Sequence, residues 1–273
     1  MKSPRFSIII PTLNEEKYLP HLLDSLCEQT EKNFEVIVVD GSSKDKTITV
    51  AQGYKNKLPV LEIVVSKKAS LPLQRNIGAK HTHGTWYIFV DADSIFLPYF
   101  IERIRVFIRQ QKPTLFTTWF RPDSEVSGDA VLTLFANLST ESSMIFKRAH
   151  APGPLAIVTR DAFRAVGGYD ESLKSLEDYD FSRRVCERGH QMHILRETLC
   201  VWSLRRWRQQ GTLKVAQTYA KAIFSVLLTK RTPQHMPGYI MGGHLYNKRR
   251  SIKRSVIKEF EKKLKKIVGE LFE

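Results

Sequence analysis

Short apolar runs recur along the first 120 residues, each followed by a polar cluster and then by apolar residues at helical spacing. Residues 6–10 form a β-branched run ended by Pro11, and Leu19, Leu22, Leu23 and Leu26 then mark one helix face, with Asn14 as a candidate cap. A second run, 35–39, ends in Asp40-Gly41-Ser42-Ser43; a short helix over 47–53 and a third strand over 61–65 follow. A helix over 73–81 leads to the fourth strand, 86–90. Residues 98–111 place Phe100, Ile101, Ile104, Phe107 and Ile108 on one helix face, and 114–120 reads as a further strand. Strands alternating with helices at these lengths predict crossover units and a largely parallel sheet.

The pattern loosens from 121 to 150. Beyond it, 151–154 reads as a loop and 155–158 as a short strand, and Thr159 caps a helix over 160–166 that Gly167-Gly168 stops. A helix over 176–188 ends at Gly189, and 193–195 and 199–202 read as two short strands. After Gly211 no strand pattern remains. Helices are expected over 212–228 and 251–272, the second apolar at Ile252, Val256, Phe260, Leu264, Val268 and Leu271, with a loop over 233–247.

Charge separates these regions. The chain of 273 residues carries a net charge of +15, but residues 1–200 hold 26 Lys and Arg against 24 Asp and Glu. Residues 201–273 hold 17 Lys and Arg against 4 Asp and Glu, a polycation that seeks lipid headgroups, nucleic acid or phosphorylated ligands. The three cysteines, widely spaced and without a CxxC, fit a reducing compartment rather than a disulfide framework or structural zinc. The N-terminus runs directly into the first strand, and no run of 18 apolar residues occurs. A cytoplasmic protein without signal peptide or spanning helix is therefore the expectation.

The chemistry gathers at strand ends. Residues 11–15 (Pro-Thr-Leu-Asn-Glu), 40–45 (Asp-Gly-Ser-Ser-Lys-Asp) and 91–93 (Asp-Ala-Asp) follow the first, second and fourth strands. In a parallel sheet all three share the edge where ligands bind. Asp91 and Asp93 make a doubly negative, hard-oxygen pair suited to Mg²⁺ or Mn²⁺ carrying a diphosphate. Any one cluster alone reads first as a turn or a helix cap; it is the three together on one edge that turns are hard put to explain.

The ordered set resembles the inverting glycosyltransferases of family 2. The matching segments are 8–15 (Ile-Ile-Ile-Pro-Thr-Leu-Asn-Glu), 38–43 (Val-Val-Asp-Gly-Ser-Ser) with Asp45 and Thr47, 75–78 (Arg-Asn-Ile-Gly) and 89–93 (Phe-Val-Asp-Ala-Asp). Residues 166–171 (Val-Gly-Gly-Tyr-Asp-Glu) and Glu177-Asp178 leading to Arg183-Arg184 complete it, over about residues 6–210. The resemblance implies a GT-A fold: an α/β, Rossmann-like, mostly parallel sheet flanked by helices. It divides the chain into a catalytic domain over 1–210 and a basic helical extension over 211–273. It implies that Pro11, Thr12, Glu15, Asp40, Asp45 and Arg75 line a nucleotide-sugar pocket, with Asp40 on the base. Asp91, Ala92 and Asp93 would form the diphosphate end, Asp93 ligating Mn²⁺ or Mg²⁺ directly and Asp91 assisting. Asp178 would be the base that takes the acceptor proton. Glu177, Arg205, Arg206 and Trp207 would serve the acceptor or the diphosphate.

A nucleoside-diphosphate sugar is thus the expected donor, a UDP-sugar favoured, and a hydroxyl on a glycan or lipid-linked glycan the expected acceptor. The C-terminal helices would touch an anionic membrane surface peripherally. Three rival readings remain open. One is transfer to a polyprenyl phosphate, which needs no base at Asp178. A nucleotidyltransferase is disfavoured because 11–15 contains no glycine to cradle a triphosphate. A basic nucleic-acid-binding protein is disfavoured because it leaves Asp40, Asp91 and Asp93 unexplained.

Overall fold

A computed structural model describes residues 5–145 and 150–211, together with Val215, Gln217 and Thr218. The helices expected over 212–228 and 251–272 lie outside the described residues, apart from those three positions. The first half alternates as its apolar spacing dictates: β1 (Phe6–Thr12), α1 (Leu19–Cys27), β2 (Phe34–Asp40), α2 (Thr47–Gln52), β3 (Leu61–Val65), α3 (Leu71–Lys80) and β4 (Trp86–Val90). Then come β5 (Ile95–Phe96), α4 (Phe100–Gln111), β6 (Leu115–Pro122), α5 (Ser127–Ile145), β7 (Leu155–Thr159), α6 (Arg160–Ala165), α7 (Glu177–Glu187), β8 (Met192–Trp202) and α8 (Arg205–Gln210).

The eight strands form one sheet in the order β3-β2-β1-β4-β7-β6-β8-β5. Strands β1 to β4 pair in parallel; β7 runs antiparallel to β4 and β6, and β5 antiparallel to β8. Every residue of β1, β2 and β4 is buried, which is why these strands read as continuous apolar runs rather than alternating ones. Two cores flank the sheet. One lies under α1 and α4 around Leu22, Ile88, Phe100 and Phe116; the other is an aromatic cluster of Tyr87, Phe89, Phe163, Tyr169 and Phe181.

Four expectations change. Strand β1 continues through Pro11 to Thr12; β4 accompanies it only to Ile9, so beyond that point one neighbour suffices and a residue without an N–H is tolerated. Asn14 does not cap α1, which starts at Leu19. The loose stretch after 121 contains the 19-residue helix α5. The two short strands expected near 193 and 199 are one strand, β8, whose polar middle is held by the ion pairs Arg196–Glu141 and Arg103–Glu197. The Thr159 cap stands, its hydroxyl accepting the Ala162 N–H at 3.3 Å, and Gly167 and Gly168 take the positive φ that ends α6.

Candidate active site

Thr12 and Asp40 are register partners at the ends of β1 and β2, and the Gly41 N–H closes the edge onto the Thr12 carbonyl at 2.8 Å. Asp40 is fully buried and accepts three hydrogen bonds, from Thr12 Oγ1 (3.0 Å), Ser43 N–H (2.7 Å) and Ser43 Oγ (2.5 Å). It therefore organises the turn that follows β2. Asp45 extends the same network, accepting from Thr47 and from the Glu16 N–H. Asn14 bridges the two loops instead of capping a helix: its N–H donates to Ser43 Oγ at 2.8 Å and its Oδ1 accepts the Lys44 N–H at 2.7 Å. This needs φ of +54°, a left-handed geometry that asparagine tolerates. Gln74, unremarked in the sequence, is wholly buried and donates to the carbonyls of Thr12 and Val39, locking both strand ends to α3.

The Asp pair follows β4. Ala92 packs in the core, so it spaces the two carboxylates rather than contacting a ligand. Asp93 Oδ2 lies 2.9 Å from Arg205 Nε, and the same guanidinium grips Glu15 through two bonds of 2.7 and 2.9 Å. Arg205 also stacks over the Tyr18 ring at 4.3 Å. Glu15 is pushed up to about 7, chiefly by burial, against the pull of Arg205 and with Asp93 and Asp91 adding repulsion. Asp91 is pushed up to about 6, again chiefly by burial, with Arg75 opposing and Asp93 reinforcing. Arg205 of α8 thus holds Glu15 and Asp93 together, while Asp91 takes its cation from α3. Arg206 adds favourable charge near Asp91, and Trp207 packs edge-on against Trp202.

Arg75 ties this cluster to the far side of the site. Only 1% of its side chain is exposed; it donates to Asp91 Oδ1 (3.1 Å), Glu177 Oε1 (3.1 Å) and the Gly153 carbonyl (2.8 Å), with its guanidinium over the Tyr169 ring. Glu177 is pushed up to about 7, chiefly by burial and then by Asp178, with Arg75 opposing. Asp178 is partly exposed at the start of α7, with one oxygen accepting its neighbour Tyr179's N–H at 2.9 Å. A methyl group added at Gly153 would stand 3.4 Å from Asp178 Oδ2, so the 151–154 loop lies directly against this carboxylate. Leu176, at φ of +58°, turns the chain sharply into α7 and sets Glu177 inward beside the more open Asp178.

The donor set suits a divalent cation shared with a substrate. Among the described residues no three His, Cys, Asp or Glu side chains form a metal-ligand cluster. Mg²⁺ and Mn²⁺ carried on a diphosphate need only one or two protein carboxylates, with phosphate and water oxygens completing the shell. Asp91 and Asp93, one residue apart at the end of β4, are two carboxylates of that kind.

All the site residues expected from the sequence, Ala92 apart, lie along one sheet edge or on the loops and helices facing it. Those the sequence left unnoticed are Tyr18 and Gln74; Gly153 and Tyr169 fall in segments it had already marked, the 151–154 loop and the 166–171 motif.

Comparison with known proteins follows the same lines. The family model described as glycosyl transferase family 2 matches residues 7–167. An uncharacterised glycosyltransferase of Haemophilus influenzae is 32% identical over 180 residues, covering 64% of this chain and 60% of that protein. A PGL/p-HBAD biosynthesis glycosyltransferase of Mycobacterium bovis is 29% identical over 191 residues, covering 67% of this chain and 70% of that protein. Among solved structures, Staphylococcus aureus TarS residues 1–349 in complex with UDP-GlcNAc aligns with a TM-score of 0.61 at 24% identity, over 73% of this chain and 58% of that one. The mannosyltransferase PcManGT from Pyrobaculum calidifontis, in complex with GDP-Man and Mn²⁺, aligns with a TM-score of 0.63 at 22% identity, over 87% and 68%. At these identities the two structures establish a shared GT-A type fold.

Proposed function

The chain belongs to glycosyl transferase family 2, and from that premise we propose that it moves one sugar from a nucleoside-diphosphate donor to an acceptor hydroxyl, with inversion at the anomeric carbon. The observation that carries this reading is the joining of the strand-end carboxylate Asp91, next but one to Asp93, to Glu177, the neighbour of Asp178, through buried Arg75. A donor half and a proton-accepting half then face each other across one side chain.

The loops after β1 and β2, built on Pro11, Thr12, Asp40 and Asp45, take the nucleoside. A UDP-sugar is the favoured donor, in line with the UDP-GlcNAc held by TarS; PcManGT, which holds GDP-Man, keeps guanosine as the second candidate. Breaking the sugar–phosphate bond leaves negative charge on the departing diphosphate. Asp93, with Asp91 assisting, would hold a Mn²⁺ or Mg²⁺ ion, which when bound would supply compensating charge there. Arg205, now spent on Glu15 and Asp93, is within reach of the same diphosphate oxygens once those carboxylates have another partner, and Arg206 stands beside it. Asp178 takes the proton from the acceptor hydroxyl as that oxygen attacks the anomeric carbon. Glu177 and Arg75 hold Asp178 and the 151–154 loop in place. The acceptor is a hydroxyl of a glycan or lipid-linked glycan.

Thermal shift against UDP, GDP and dTDP, each with Mn²⁺, Mg²⁺ or EDTA, tests the donor half. At a hundredfold excess over Kd, the matching nucleotide with metal raises the midpoint by about 5–10 °C, and EDTA removes most of that gain. No shift with any nucleotide and either metal would refute the reading.

A further inference from the structure

Helix α5 is inside out. Its buried face is polar, with Thr133, Asn137 and Thr140, while Leu134, Phe135 and Leu138 face solvent, Phe135 with 66% of its surface exposed. The polar face is fully used. Asn137 accepts the Phe120 N–H at 3.0 Å and returns a bond to its carbonyl at 2.9 Å, while Thr133 and Thr140 donate to carbonyls one turn back. Val131, Leu134, Phe135 and Leu138 follow the i, i+3, i+4, i+7 spacing of one helix face, an ordinary apolar stripe pointed away from the protein.

The surroundings say what kind of surface covers this stripe. Helix α5 begins where β6 ends, at the sheet edge that carries the active site, and Arg208 of α8 pairs with Asp123 and Asp129 at its start. The basic segment 201–273 therefore starts beside α5. Of the carboxylates that flank the helix, Asp123 and Asp129 are taken by Arg208 and Glu141 by Arg196, which leaves exposed Glu125 as a single charge. With 26 Lys and Arg against 24 Asp and Glu, residues 1–200 offer no acidic surplus to receive a segment with 17 Lys and Arg against 4 Asp and Glu. The counter-charge must come from outside, and the partner must also accept exposed leucine and phenylalanine. Nucleic acid meets the first requirement and not the second. We propose that the outward face of α5 is the surface by which this protein seats on an anionic lipid bilayer.

The test uses the full chain and flotation with vesicles of phosphatidylcholine alone or mixed equally with phosphatidylglycerol. The double variant Phe135→Ser/Leu138→Ser keeps the charge, and Val60→Ser/Val65→Ser, at the distant β3 end of the sheet, is the control for lost apolar surface. The wild type floats with the anionic vesicles; the α5 variant loses at least about tenfold in partition, as withdrawing two large side chains from lipid requires, and the control changes by less than twofold. Both variants keep the wild-type thermal shift with nucleotide and metal, so a failure here is separable from a failure of the donor reading. Three results overturn the proposal: equal flotation of wild type and α5 variant; loss of a wild-type oligomer in the α5 variant, which makes the face an interface between copies; or no wild-type flotation with a lower melting point for the α5 variant, which makes the face a seat for the chain's own C-terminal segment.

Discussion

Replacing Arg75 by methionine keeps an unbranched apolar stem and deletes the charged guanidinium. The residue is buried and makes two ion pairs of 3.1 Å, to Asp91 and Glu177, plus a 2.8 Å bond to the Gly153 carbonyl. The variant leaves two crowded carboxylates without their shared cation. Breaking a buried pair by removing one partner costs about 3–5 kcal/mol. For a domain of this size each kcal/mol moves the melting midpoint by about 2–4 °C, so the expected loss is about 6–20 °C. Glu177 has an escape, because its carboxyl is already pushed up to about 7 and can take a proton instead of staying charged. The deficit relative to wild type should therefore be smallest at pH 5.5 and grow toward pH 8. Arg75→Lys should recover part of the midpoint and little turnover, since an ammonium cannot span both carboxylates and the carbonyl. Scanning fluorimetry across that pH range is the assay. A deficit under 2 °C, or one that does not change with pH, would refute the description of Arg75 as the bridge.

Asp178→Asn should lower turnover by about a hundredfold or more with the midpoint and nucleotide affinity near wild type, read by release of nucleoside diphosphate; intact turnover would point instead to an acceptor that is already an anion, such as a polyprenyl phosphate. Glu15 titrates near 7 in the folded protein, above its ordinary value near 4.5. The folded state thus holds an extra proton between those values, so its contribution to stability is full below about pH 4.5 and is lost as pH rises through 7, by up to about 3 kcal/mol. Denaturant titrations from pH 5 to 8 check that sign. Arg205→Gln should tighten Mn²⁺ binding in the absence of nucleotide, since Asp93 loses its competing cation, and weaken binding of the nucleotide with Mn²⁺; calorimetry of both titrations separates the two effects. Gly78→Ala should cost about 1–3 kcal/mol, because its new methyl would lie 2.4 Å from Ile9 Cγ2 and 3.1 Å from Val39 Cγ2, and urea unfolding measures the loss.

What could be read from the sequence followed from local chemistry. Buried parallel strands betray themselves as unbroken apolar runs, and parallel topology alone puts the clusters after β1, β2 and β4 on one edge. The helix α5 was hidden by its inversion, since a leucine and phenylalanine stripe beside threonines and an asparagine does not say which face turns inward. The spacing of Val131, Leu134, Phe135 and Leu138 was the available signal. Strand β8 read as two pieces because Arg196 and Glu197 interrupt it, and only their partners on α5 and α4 explain why polar residues sit in mid-strand. The connections that make the site one unit were not legible at all. Arg205 meets Glu15 across 190 residues and Arg75 meets Glu177 across 102, and a single sequence holds no record of such pairings.

Titration of UDP into the protein with Mn²⁺ present, followed by calorimetry in the wild type, Asp93→Asn and Asp178→Asn, bears most directly on the claim that Asp93 holds the cation of a leaving nucleoside diphosphate. The wild type and Asp178→Asn should bind alike, and Asp93→Asn should bind at least tenfold more weakly, with EDTA erasing the difference by weakening all three. Equal affinities in wild type and Asp93→Asn, unaffected by EDTA, would contradict it.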